Sequence, residues 1–204
     1  MKLYRGCKES GIKIMYPRLV NHNIPYVYAT IDKTEAIIYS VKGGNFNYTN
    51  IYGYDDDKRC LIERKENCLE DIYNTKGRYY ILDDTSFKKH NEIGVGDFEY
   101  VSTKPVKVLK EVEIPNVWEY LKKQERDGIL KIYRYPDRPS IYPKDDSDLI
   151  ECAILMYLNT NNLDESFSIL ERYHPQLKKR IEKTKEYLKI HSKEEIRNGI
   201  SFFK

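Results

Sequence analysis

Tyr28 and Tyr39 stand eleven positions apart in a stretch, Tyr26 to Tyr39, that reads as a short strand, a capped turn and a helix. Strand alternation puts Tyr26, Tyr28 and Thr30 on one face and Val27, Ala29 and Ile31 on the other. Asp32 followed by Glu35 has the spacing of a capping box, which predicts a helix from Asp32 through Tyr39. A strand tyrosine and a helix tyrosine that converge make two walls of a flat slot, a shape suited to an aromatic ring. Two charged groups on other predicted strands could serve such a slot. Arg5, in Leu3-Tyr4-Arg5-Gly6, is either a salt-bridged edge residue or a ligand for an anion or a ribose. Glu99, in Glu99-Tyr100-Val101, is either an edge carboxylate paired with a lysine or a functional group. With 19 tyrosines against six phenylalanines and one tryptophan, any single tyrosine is explained equally well as an ordinary core residue.

Several chemistries are argued against. Cys7, Cys60, Cys68 and Cys152 are far apart with no CxxC pair, and His22, His90, His174 and His191 are equally scattered, so no metal-ligand pattern is present. Without an export signal the cysteines are expected to be reduced. Asp55-Asp56-Asp57-Lys58 lacks the ligand spacing of a calcium loop and is expected to be a hairpin turn. No apolar run approaches the roughly 20 residues that span a bilayer. Together these features predict a cytoplasmic protein with no membrane partner. The net charge of +3 is small. The basic excess gathers between His174 and Arg197, where the glutamates that interrupt it indicate a solvated helix surface more than a nucleic-acid patch.

The elements that must position these residues are mostly strands in the first half. Lys2–Gly6, the alternating Phe46–Tyr54, Cys60–Glu63, Tyr79–Leu82, Phe98–Val101 and Val106–Ile114 all read as strands, with Pro105 breaking the last two apart. Ser10–Pro17 and Val20–Pro25 read as connections, and Gly43-Gly44 as a turn. Past Pro115, a short helix carries Val117, Trp118 and Leu121, followed by a strand Ile129–Tyr133. Asp148 with Glu151 is expected to cap a helix whose apolar stripe is 149, 150, 153, 154, 157 and 158. Phe167 and Leu170 continue helically, and after Pro175 a last helix turns Leu177, Ile181, Leu188 and Ile196 inward. The expected organisation is an α+β domain over residues 1–114 and a mostly helical extension over 115–204.

Taken in order, Leu3-Tyr4-Arg5-Gly6, Tyr28-x-Thr30 with Tyr39, and Glu99-Tyr100-Val101 with Val108 nine positions after the glutamate resemble the motifs of the ADP-ribosyltransferase fold. The resemblance covers residues 1–114 and is nearest the His-Tyr-Glu branch of the diphtheria toxin and poly(ADP-ribose) polymerase type. It implies split antiparallel β-sheets with flanking helices, and NAD as a substrate. Tyr28 and Tyr39 would sandwich the nicotinamide, Thr30 would line the pocket, and Gly6 would let the dinucleotide approach the backbone. Glu99 would stabilise the positive charge that builds on the ribose as the nicotinamide bond breaks, as in glycosidases. The family's histidine is Arg5 here; an arginine holds NAD from this strand in the other branch, that of the Arg-Ser-Glu toxins. The function so implied is transfer of ADP-ribose to a protein or nucleic-acid acceptor, or hydrolysis of NAD. The alternatives are a catalytically inactive NAD, ADP-ribose or nucleotide binding module, and an RNA 2′-phosphotransferase. Acceptor choice would fall to the loop Lys88–Asp97.

Overall fold

A computed structural model of the chain describes residues 1–19, 24–41, 46–55, 58–89 and 98–199. The strands are β1 (Leu3–Gly6), β2 (Ile14–Met15), β3 (Val27–Thr30), β4 (Tyr48–Asp55), β5 (Lys58–Glu63), β6 (Gly77–Leu82), β7 (Lys88–Lys89), β8 (Glu99–Ser102), β9 (Val106–Ile114) and β10 (Leu130–Tyr133). The helices are α1 (Lys33–Ile38), α2 (Cys68–Tyr73), α3 (Val117–Arg126), α4 (Ser147–Thr160), α5 (Leu163–Tyr173), α6 (Lys178–Ile190) and α7 (Lys193–Gly199), with a 3₁₀ turn at Pro175–Leu177. This is an α+β protein, as expected from the runs of strands followed by runs of helices. The Gly43-Gly44 turn, His22, Asp56 and Asp57, and residues 90–97 of the expected acceptor loop lie outside the described residues.

The chain forms two compact units that interleave in sequence: Met1–Gly44, Asn50–Leu61 and Asn67–Ile132 make one, and Asn45–Thr49, Ile62–Glu66 and Tyr133–Lys204 the other. In the first unit, seven strands lie in the order β2-β9-β6-β1-β3-β8-β7. The pairs are antiparallel, with Arg5 opposite Tyr80, Tyr4 opposite Thr30, and Thr30 in turn opposite Glu99. The strands β10, β5 and β4 form a second sheet in that order. The alternation in β3 is realised as the sequence predicts. Val27 and Ala29 enter a core with Leu3, Met15, Tyr80, Leu82 and Val106, which leaves Tyr28 and Thr30 on the opposite face. Several elements had no counterpart in the sequence reading, among them the two-residue β7, which falls in the expected Lys88–Asp97 loop and pairs with β8. The strand β2 falls inside the expected Ser10–Pro17 connection and pairs with Val106 and Lys107 of β9. The helix α2 has only six residues, too few for a 3.6-residue period to stand out.

The second unit is helical apart from its short N-terminal contributions. Leu149, Ile150, Ala153 and Leu158 of α4 are buried with Phe167 and Leu170 of α5, and with Leu177, Ile181, Leu188 and Ile196. The amphipathic stripes read from the sequence are therefore the packed faces. The start of α4 differs from expectation. Asp146 occupies the cap position without a capping hydrogen bond, and Asp148 lies within the first turn. Both carboxylates are instead drawn to Arg64, whose side chain is fully enclosed: its Nη1 reaches Asp146 at 3.2 Å, and Asp148 takes both guanidinium nitrogens in a forked pair. Thr49 accepts from its Nε at 3.0 Å, Tyr142 stacks on it at 4.6 Å, and Arg138 also donates to Asp146 at 2.5 Å. Spacing could not reveal this, because the partners are 82 and 84 positions away. Arg64→Ala leaves two buried carboxylates to one remaining arginine and should cost about 3–5 kcal/mol. Equilibrium urea unfolding would measure this. Among the described residues no helix is long and apolar enough to cross a membrane.

Candidate functional site

The helix α1 begins where the sequence places its cap. Asp32 adopts an extended conformation and its Oδ1 accepts from the backbone N–H groups of Thr34 (2.8 Å) and Glu35 (3.1 Å). Thr30 Oγ1 accepts from the Asp32 N–H at 3.0 Å, which ties the end of β3 to the cap. The reciprocal half of the capping box is absent. Glu35 does not return to the Asp32 N–H; its carboxylate turns toward Arg59 of β5, with Oε1 at 3.4 Å from Nη2. The same guanidinium donates to Asp32 Oδ2 at 2.7 Å and to Asn50 Oδ1 at 3.0 Å, and lies 4.8 Å from the centre of the Phe98 ring. An arginine 24 positions from Glu35 has competed successfully for a carboxylate that the local motif would have used (24 being the difference between 59 and 35).

All six residues singled out from the sequence, Arg5, Gly6, Tyr28, Thr30, Tyr39 and Glu99, line one cavity of about 480 Å³ in the first unit. That volume is within the ~300–1,000 Å³ range of small-molecule pockets. The strand register explains the gathering. Tyr4, Thr30 and Glu99 are successive partners across β1, β3 and β8, so their side chains share one face, and Tyr28 is two positions along that face. Tyr39, the last residue of α1's cap, arrives from above that face because α1 packs on β1. Tyr28 is half-buried and braced edge-on by Tyr26, with ring centres 5.7 Å apart. Tyr39 is 59% exposed. Enough of it is nonetheless enclosed that burial, followed by the Glu35 charge, raises its phenol above the ordinary tyrosine value, against the opposing effects of Asn50 and Arg59.

Two of the expected residues also serve the frame. Gly6 is required by the helix: a Cβ there would lie 1.9 Å from the Ala36 carbonyl oxygen, 2.6 Å from the Ser40 nitrogen and 2.7 Å from the Tyr39 carbonyl carbon. Its missing side chain thus lets α1 settle on β1 and sets the height of Tyr39 over the sheet. Arg5 makes no salt bridge among the described residues. Its Nη1 donates to the Tyr28 carbonyl at 2.8 Å, and so clamps β1 to β3 beyond their Tyr4–Thr30 pair. Burial lowers its pKa, and the nearby Arg18 adds to the effect. Among the described residues no other protein group hydrogen-bonds to the Arg5 guanidinium.

The residue that sequence reasoning missed is Glu35, which lines the same cavity and is only 4% exposed. Its Oε2 is buried without a hydrogen-bond partner among the described residues. Burial pushes its carboxyl up to about 7; Arg59 and the Thr30 hydroxyl oppose the shift, and the charges of Glu99 and Asp32 add to it. The only signal available beforehand was a glutamate on the inward face of a short helix, and the capping box explained it away. The consequence for stability has a definite sign. A folded-state carboxyl that keeps its proton up to about 7, against 4.5 ordinarily, takes up a proton on folding between those values. Its contribution to stability is therefore present at low pH and is lost as pH rises from about 4.5 through 7, by on the order of 3 kcal/mol. Glu35→Gln should remove this slope, so that variant and wild type diverge in the variant's favour between pH 5 and pH 8 in urea titrations.

Comparison with family models, with curated proteins and with solved structures finds no match for this chain. Fold and site define an α+β protein with an open cavity walled by tyrosines and two carboxylates.

Proposed function

We propose that this protein is an NAD-dependent ADP-ribosyltransferase-like enzyme that cleaves the nicotinamide–ribose bond and passes ADP-ribose to a protein or nucleic-acid acceptor, or to water. The observation that carries this reading is the convergence of three sequence motifs, separated by up to 94 positions from Arg5 to Glu99, on one cavity (94 being the difference between 99 and 5).

In this reading Tyr28 and Tyr39 hold the nicotinamide ring and so fix the bond to be broken. Glu99 lies on the face shared with Thr30 and Tyr28, where a carboxylate stabilises positive charge developing on the ribose and accepts from its 2′-hydroxyl. Arg5 keeps β1 and β3 at a fixed separation through the Tyr28 carbonyl, and as a lining residue its guanidinium is suited to the ribose or phosphate. The adenosine half extends beyond what a cavity of about 480 Å³ encloses, toward the open side. The test is incubation of the purified chain with nicotinamide-labelled NAD. Release of free nicotinamide above the spontaneous rate supports the reading. Saturable NAD binding without release would instead assign the protein to the binding modules, and absence of binding would remove NAD from the account.

A further inference from the structure

Glu35 is a costly residue to place where it lies. A helix this short gains nothing from a carboxylate on its buried side once Asp32 has capped it, and Asp32 already pairs with Arg59 through Nε at 2.7 Å. The guanidinium is further committed to Asn50 and to the Phe98 ring, so Glu35 receives a 3.4 Å contact through Oε1 and nothing through Oε2. An unpartnered, nine-tenths buried carboxylate oxygen on a cavity wall is a group held ready for a ligand. Glu99 faces the same space from β8, and the other walls include the tyrosines at 4, 28 and 39. Two carboxyls and several aromatic faces around one hollow are what recognises a flat organic cation: the rings supply π-faces and the carboxyls supply the counter-charge.

Resting on the nicotinamide reading above, we propose that Glu35 is a second anionic ligand of the ring site, one that selects the positively charged, oxidised form of the nicotinamide ring over neutral rings of the same shape. The ionised carboxylate binds the ring's charge, and the protonated carboxyl does not. The charged and titratable groups that act on it are Asp32 at the cap, Arg59 of β5, Glu99 of β8 and Tyr39 at the end of its own helix; Arg5 of β1 lines the same cavity. Of these, Arg59 favours the ionised form while Glu99 and Asp32 oppose it. A cation entering between Glu35 and Glu99 relieves that opposition, so binding of a cationic ring expels a proton from Glu35 and binding of a neutral ring does not.

The experiment compares 1-methylnicotinamide, a cation, with nicotinamide, its neutral counterpart of nearly equal size, by titration calorimetry of the whole chain at pH 6 and pH 8. A carboxyl titrating at about 7 is ionised roughly ten times more often at pH 8 than at pH 6, so the cation should bind about tenfold more tightly at the higher pH. Nicotinamide should bind equally at both. At pH 6, repeating the cation titration in buffers of different ionisation enthalpy should show close to one proton released per cation bound. Glu35→Gln should hold the cation at the weak, low-pH level throughout. If that variant does not fold, the proton count on the native chain decides the matter alone. Equal pH profiles for the two probes, or no proton release, would overturn the role of Glu35 while leaving the nicotinamide site in place. Failure of both probes and of NAD itself to bind would remove the nicotinamide reading and this inference with it.

Discussion

Glu99→Gln is expected to lower nicotinamide release from NAD by about a hundredfold or more while leaving NAD binding within a fewfold of the original. Glutamine has the size of glutamate and keeps an acceptor oxygen, so a ground-state hydrogen bond to a ribose hydroxyl can persist. It cannot supply the negative charge that matters only as the glycosidic bond breaks, and an interaction realised only there lowers kcat and leaves KM nearly unchanged. The site leaves little room for substitution by a neighbour. Glu35 enters the cavity from the helix side and is held toward Arg59. Steady-state release of labelled nicotinamide at several NAD concentrations checks both parameters. A variant with unchanged kcat would remove Glu99 from the chemistry, and a variant with a large rise in KM alone would make it a binding residue.

The second large effect is on the frame. Gly6→Ala should destabilise the protein by at least about 3 kcal/mol, because the added methyl meets three main-chain atoms of α1 and its cap, the nearest at 1.9 Å, and none can rotate away as a side-chain tip could. Relief requires α1 to lift from β1. Glu35, Ala36 and Tyr39 ride on that segment, so the surviving folded protein should also lose affinity for the cationic ring. Gly11→Ala is the control: Gly11 has nothing within 4 Å of a built Cβ, so only its positive φ of 75° opposes the change, at about 1 kcal/mol. Thermal unfolding of the two variants side by side distinguishes a steric requirement for glycine from a conformational one.

These two substitutions mark how far the site was legible in one dimension. The α+β class, the faces of β3, the capping role of Asp32 and the buried stripes of α4 to α6 follow from periods of 2 and 3.6 residues and from local hydrogen bonding, all of which are properties of neighbours in sequence. The six cavity residues were also named beforehand, since motif order and spacing carry information about a fold even when each motif is short. What stayed hidden were the interactions whose partners are distant. Arg59 takes Glu35 from the capping box, Arg64 takes Asp148 from its expected cap, and the carbonyl of Tyr28 takes a nitrogen of Arg5.

By itself, then, the sequence determined which faces are apolar, where the first helix starts, and the order along the chain of the two tyrosines, the glutamate and the arginine that line one cavity. Only the tertiary structure decided that Gly6 serves the helix, that Arg5 serves the strand pair, and that Glu35 stands buried beside Glu99 with an unused oxygen. The reason is physical. Periodicity specifies which way a side chain points, but the fate of a charged group depends on which counter-charge reaches it first and how much water is left around it. Both are set by residues far away along the chain.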